Sequence, residues 1–447
     1  MKLLLSALIS LLTIIPVNAQ KKLTLDEAIS IALQRNSSLI KAKNNLKGSE
    51  ASVKSAFGDL LPNLSVSGSW NWNRTIDDGG NQLDFFGNEI FIPSSKIDTR
   101  NYNIRAGGSW TLFDGLSNFA NISKQKKGYR SAKYALDKQK QDIVLQTTKL
   151  YYSVLSAREL LKVREDNLQY NKKLFEEINE RSNLGAVTIA DVYAQKVALG
   201  NAQLALIQAQ NAYESAVNNL LNFLALDILD EYTFIDPFPG ELEDAEKFMN
   251  DFLDIEQMVE EALENRPDYR SQQLAYQSKM EDITIAKSGF LPRLSGNFGF
   301  STSATRREEL FSRRIYNVGL TLSIPIFTNF KTETQIQFAE IAVKNAREDL
   351  SALERQIKIE IKQGYLDLIA AKKQLDVSLE NVKYAIENRK ISKERYNLGA
   401  GKILDVLQAD KDYTQAIRDK IAAEYEFYRL KDNLMNALGK LDFKNFE

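Results

Sequence analysis

The sequence predicts a mainly α-helical chain with a transmembrane β part, internally duplicated. Three observations carry this: four segments whose apolar side chains alternate over membrane-crossing lengths, long stretches of apolar heptads, and short motifs that recur in the same order in both halves.

Residues 316–327 set Tyr316, Val318, Leu320, Leu322, Ile324 and Ile326 against Asn317, Gly319, Thr321, Ser323 and Pro325. That parity predicts a β-strand with one apolar face and one small or polar face. Residues 64–73 repeat it, with Leu64, Val66, Trp70 and Trp72 against Ser65, Ser67, Ser69, Asn71 and Asn73, and so do residues 102–113 and 294–303. Ten to twelve residues at about 3.3 Å each, tilted by about 45°, cover the hydrocarbon layer of a bilayer. A soluble sandwich would also bury apolar faces, but the strands come as two isolated hairpins far apart in helical sequence. A sheet in lipid must close on itself, and the smallest bacterial barrels need about eight strands. Several copies of the chain must therefore share one barrel. On this reading Trp70, Trp110, Phe298, Leu320 and Leu322 face membrane lipid, while Ser67, Ser109, Asn297 and Thr321 face a wet lumen.

Residues 1–19 read as a secretory signal peptide: Lys2, an apolar run over 3–15, and Val17-Asn18-Ala19 as a small-residue cleavage site before Gln20. The remainder holds no apolar stretch of about eighteen residues, so no membrane-spanning helix is expected. Composition fits an exported helical protein, with 44% hydrophobic and 26% charged residues and a net charge of −1 that gives no bias toward nucleic acid. The chain has neither cysteine nor histidine. Thiol chemistry is excluded, and the commonest general base and metal ligand are both missing. With no glycine-rich phosphate loop and no nucleophile motif, the expectation is no enzyme, no cofactor and no metal site.

The duplication sets the architecture. LLPNLS at 60–65 returns as FLPRLS at 290–295, NLGA at 183–186 returns at 397–400, and Asp191-Val192 returns as Asp405-Val406. The offset shortens between these motifs because residues 74–101 form a longer polar loop than residues 304–315. The expected organisation is repeat 1 over 20–226, an acidic irregular connector over 227–254, and repeat 2 over 255–447. Each repeat begins with a helix, 25–60 or 255–290, broken near Asn36 and near Pro267, and exits into strand at Pro62 or Pro292. The second helices, about 116–183 and 330–397, carry apolar residues seven apart: Leu136, Ile143 and Leu150, then Val154, Leu161, Leu168 and Phe175, and in repeat 2 Leu350 and Ile357, then Leu368, Leu375 and Val382. Heptads imply coiled-coil packing, and the shift of four between the sets is a stutter. Glycine at 185 and 399 stops these helices, and the return helices start near Thr188 and Lys402.

Together, the duplicated LPxLS step, the paired NLGA turns followed by DV, and the leader resemble the TolC-like outer-membrane efflux proteins over essentially the whole mature chain. The resemblance implies a homotrimer in the bacterial outer membrane with a long periplasmic extension. Each chain would give four β-strands to a shared 12-stranded barrel and helices to a coiled-coil tube. It also implies a passive exit duct of a tripartite efflux or type I secretion system, served by a periplasmic adaptor protein and an inner-membrane pump or ABC transporter. Asp405 then falls on an acidic position at the periplasmic entrance, and Gln408 stands where some members carry a second acid. Tyr396 matches a latch tyrosine with Asp191 as its counterpart; the members' basic latch residue is replaced by Gly401, with Lys402 one position on. Gly185, Ala186, Gly399 and Ala400 are the expected adaptor-docking tips. The competing reading is a secreted coiled-coil structural or interaction protein.

Overall fold

A computed structural model of the chain describes residues 21–237 and 254–446. The leader expected over 1–19 and most of the connector expected over 227–254 lie outside the described residues. The elements run β1 (Lys21–Leu23), α1 (Leu25–Arg35), α2 (Ser37–Gly58), β2 (Asn63–Asp77), β3 (Gly80–Leu83), β4 (Glu89–Ile92), β5 (Ser95–Phe113), α3 (Ser117–Asn183), α4 (Ile189–Phe223) and β6 (Tyr232–Phe234). From residue 255 follow α5 (Ile255–Asn265), α6 (Pro267–Lys287), β7 (Arg293–Ala304), β8 (Arg314–Ser323), α7 (Lys331–Asn397) and α8 (Ile403–Ala437). Broken helix, two long strands, long helix and return helix therefore occur twice in the same order. Among the described residues no helix is long and apolar enough to cross a membrane.

Local chemistry explains both helix breaks. Asn36 leaves the helix with φ −62° and ψ 124°, and its side-chain oxygen accepts the Ser38 N–H at 2.9 Å, which opens α2. Arg266 adopts φ −68° and ψ 120°. The Pro267 ring disfavours helical backbone at the residue before it, and proline itself suits the first helical position.

Three boundaries differ from the sequence-based expectation. β8 ends at Ser323 rather than at 327, because Pro325 has no N–H to give to a ladder. Residues 74–101 are mostly strand rather than loop: β2 and β5 stay in register from Trp72↔Arg100 to Asp77↔Ser95, and β3 and β4 form a small hairpin beyond them. The polar residues that suggested a loop pair across strands instead. Arg74 makes a bidentate contact with Asp98, both hydrogen bonds at 2.8 Å, and its guanidinium lies 5.3 Å from the Trp72 ring. The connector, expected to be irregular, contains β6, which pairs in parallel with β1.

The chain divides into two compact units, one comprising residues up to 44, 135–269 and 353 onward, the other 45–134 and 270–352. Among its described residues the first is helical apart from the β1–β6 ribbon. Its heptad residues Leu136, Ile143, Val154, Ile357, Leu368 and Leu375 are buried, and Leu150, Leu161, Leu168, Phe175 and Val382 are half-buried, as a coiled-coil seam requires. Tyr151 fastens the ribbon to α3: its hydroxyl lies 2.8 Å from the Leu23 carbonyl and 2.7 Å from that of Ile235. Buried Arg266 is held by Asp268 and Glu360, each at 2.7 Å.

Asp432 of α8 accepts the Tyr152 hydroxyl at 3.0 Å. Burial pushes its carboxyl up to about 6, against the opposing pull of that hydrogen bond. Its folded-state pKa lies above the unfolded value, so the folded state binds the proton more tightly and loses stability as pH rises through about 6. Asp432→Asn is therefore expected to stabilise this unit at pH 7.5, by on the order of 2 kcal/mol. The gain should vanish below about pH 4, and urea unfolding at both pH values measures it. A gain of equal size at acid pH would rule out the charge as its source.

The second unit holds an antiparallel sheet in the order β2-β5-β7-β8. Its register puts all five residues expected on the lipid side on one face. Trp110 lies beside Gly296 and Leu320, Phe298 beside Gly108 and Val318, Leu322 beside Leu294, and Trp70 beside Tyr102. The opposite face carries Ser67, Ser109, Asn297 and Thr321. The apolar face is uncovered among the described residues, with Trp70 59% and Leu320 71% exposed. Trp110 uses its polar edge as well, its indole N–H donating to the Leu60 carbonyl at 2.8 Å.

Candidate functional site

The first unit brings the two repeated turns together. α3 and α7 each end in a glycine with φ +73°, Gly185 and Gly399, a backbone that costs any L-residue strain. At the first turn Gly185 N–H donates to Ser182 and Ala186 N–H to Arg181, both at 2.9 Å; at the second Gly399 N–H donates to Tyr396 at 3.1 Å and Ala400 N–H to Arg395 at 2.8 Å. These paired bonds satisfy the last helical carbonyls and reverse the chain. Gly185, Ala186, Gly399 and Ala400 are all exposed, and a Cβ at either glycine would meet nothing within 4 Å.

The return helices then start on acids at equivalent positions of the two repeats. Thr188 caps α4 by accepting the Asp191 N–H at 3.3 Å, while the Asp405 carboxylate caps α8 by accepting the Lys402 N–H at 3.1 Å. Side-chain chemistry breaks the symmetry between them. Tyr396 donates its hydroxyl to Asp191 at 3.2 Å, above a buried cluster of Leu174, Ile178, Val192, Ile403 and Val406. The reciprocal pair would need Asp405 and the residue equivalent to Tyr396 in repeat 1, which is Ser182 and too short to reach. Asp405 consequently remains exposed, one turn from exposed Gln408, whose amide donates to Asp412 at 2.7 Å. Burial first, then the Asp191 charge, pushes the Tyr396 hydroxyl up to about 12, so it stays a donor at physiological pH.

Lys402 does not supply the basic partner at Tyr396. That group is Arg181 of α3, 5.2 Å from the Tyr396 ring centre and hydrogen-bonded to Asn397 at 3.1 Å. The sequence did contain a signal for it: Arg181 and Arg395 occupy the same place before the two NLG turns.

Sequence reasoning also missed a polar network behind the turns. Asp410, buried on α8, accepts from Asn167 and Asn171 of α3, each at 3.0 Å, and pairs with Arg389 of α7 at 2.8 Å. Gln195 of α4 donates to the main-chain and side-chain oxygens of Asn171 at 3.0 and 3.1 Å. The Arg389 guanidinium stacks on Tyr170 and Tyr413, 3.6 and 4.5 Å from their ring centres. The carboxylate thus ties three helices and, through Asn171, a fourth, and removing either charge would leave the other with a desolvation cost. Among the described residues no group of three or more His, Cys, Asp or Glu side chains is arranged to hold a metal.

Comparison with known proteins concerns the chain as a whole. The model of the family described as outer membrane efflux protein matches residues 28–226 and 258–440. The chain is 23% identical to Protein CyaE of Bordetella pertussis over 403 residues, covering 90% of this chain and 81% of that protein. It is also 23% identical to Outer membrane protein TolC of Vibrio cholerae, over 93% of this chain and 88% of that protein. The fold is shared with the Campylobacter jejuni CmeC outer membrane channel, at a TM-score of 0.77 and 17% identity, over 93% of this chain and 85% of that one.

Proposed function

This chain belongs to the outer membrane efflux protein family and is an outer-membrane exit duct; we propose that it works as a homotrimer whose three four-stranded sheets close one twelve-stranded barrel. The observation that carries this reading is the open sheet: β2 and β8 are unpaired edges, and an apolar face in lipid cannot leave edge N–H and C=O groups unsatisfied. A second face also lacks a partner among the described residues. Ile189, Tyr193, Val197, Leu204 and Ile207 of α4 are each more than half exposed, at the three- and four-residue spacing of a helical seam. Native mass spectrometry in detergent should give three chains per particle. A single-chain particle, or a protein that stays in the aqueous fraction without detergent, would overturn the proposal.

At the periplasmic entrance three copies of Asp405 form an acidic ring, flanked by Gln408. Tyr396, Asp191 and Arg181 act as the latch that holds the two turns together, Arg181 taking the part expected of Lys402. The tips Gly185, Ala186, Gly399 and Ala400 receive a periplasmic adaptor protein, which links the duct to an inner-membrane pump or ABC transporter. Support comes from their exposure and lack of side-chain bulk, which leave backbone open to a close approach. Because a Cβ at Gly399 meets no neighbour, Gly399→Val costs only the strain of its positive φ, about 1–2 kcal/mol, while covering the docking surface. Trimers should persist and export in cells should fall. Normal export by a confirmed Gly399→Val trimer would move the docking site away from the tips.

A further inference from the structure

We infer that Arg105 makes the outer part of the barrel lumen a binding site for multivalent anions such as polyphosphates, and so sets the charge preference of this section of the duct. The inference rests on the three-chain barrel proposed above. On the polar face the rows across the sheet run from Thr111-Ser295-Thr321, through Ser109-Asn297-Gly319 and Gly107-Gly299-Asn317, to Ser67-Arg105-Ser301-Ile315. Beyond them lie the pairs Ser69-Asn103, Asn71-Asn101 and Asn73-Thr99. Along this span, which stops short of Arg293 at one end and Asp77 at the other, Arg105 is the one ionisable side chain on that face. The other charges of the span, Arg100 and Arg314, sit on the opposite parity, and the Arg74–Asp98 pair there is closed on itself.

Neutral in-register neighbours leave the guanidinium unneutralised, and arginine does not lose its proton. Such a charge is costly against lipid and is tolerated on the lumen side. The surface around it is low. The Asn317 amide lies flat over Gly299 and the Asn297 amide over Gly319, so close that a Cβ on either glycine would come within 2.6 or 2.9 Å of the amide oxygen. Against this floor of serine, glycine and folded-down asparagine, exposed Arg105 has the longest polar side chain in its row. Three copies around one axis present about three positive charges, each with a planar fork of donors that matches phosphate or carboxylate oxygens. Rings of charged side chains are a general means of pore selectivity.

The test uses the full-length protein in planar bilayers with sodium tripolyphosphate added to either side in turn. Tripolyphosphate should block wild-type current at a concentration about tenfold below that needed for Arg105→Gln, a difference of about 1.4 kcal/mol, and Arg105→Lys should keep most of the block. Because the chain has no cysteine, single substitutions give a second reading. A membrane-impermeant sulfonated thiol reagent should label Arg105→Cys and spare Ala106→Cys on the other face. A wild-type protein that forms no trimer overturns the barrel and this inference with it. A conducting trimer blocked equally with and without Arg105, or labelled at position 106 and not at 105, overturns the inference alone.

Discussion

Arginine in place of Leu320 is expected to destabilise the assembled barrel by about 2–4 kcal/mol, the usual effect of a cation on the lipid face near the membrane midplane. Leu320 is 71% exposed in the single chain and lies in the row with Gly296 and Trp110, so in the proposed barrel its apolar surface meets lipid. Arginine at Trp70, Phe298 or Leu322 should act in the same direction, by an amount that falls toward the interfaces. The neighbouring substitution Thr321→Arg should have little effect, because its side chain projects into water. Unfolding of detergent-solubilised trimers measures both. Equal losses at Leu320 and Thr321 would mean that both faces are dry, which contradicts a barrel with a wet lumen.

The second large effect is expected at the entrance. If three chains bring Asp405 around the axis, as proposed, the constriction carries a ring of about three negative charges. Multivalent cations should block the current, and Asp405→Asn should abolish the block while keeping the side chain's size. The Asp405 carboxylate also accepts the Lys402 N–H, a cap that the asparagine oxygen can still provide. Loss of block would therefore report charge rather than a frayed helix. Gln408→Asp should strengthen the block, since it restores an acid one turn along the same face. A nonspecific disturbance of the tip would not move the two variants in opposite directions. Unchanged block in both would leave Asp405 as a helix cap and nothing more.

Most of the fold was legible in the sequence because its signals are local. Period-two alternation marked the four long strands, Pro267 and Asn36 marked the helix breaks, and Gly185 and Gly399 marked the reversals. The errors came from taking composition or alternation as a proxy for pairing. Residues 74–77 and 95–101 look like loop because they are polar, yet Arg74 and Asp98 satisfy each other across the strands. At β8 the alternation continues through 327, but Pro325 cannot donate and the ladder stops.

By itself, then, the sequence determined the duplication, the membrane-length strands with their two faces, the heptad helices and the site of each reversal. All are read from neighbours within a few residues, where steric and hydrogen-bonding rules act along the chain. The tertiary structure alone decided which side chains meet across the repeats. It puts Arg181 rather than Lys402 over the Tyr396 ring, gathers Asn167, Asn171 and Arg389 around Asp410, and sets Gln195 on Asn171. Such contacts join residues up to 243 positions apart. On a helix surface the same residues look like ordinary solvated polar groups. What distinguishes them is the packing of four helices, which removes water and makes each remaining hydrogen bond obligatory.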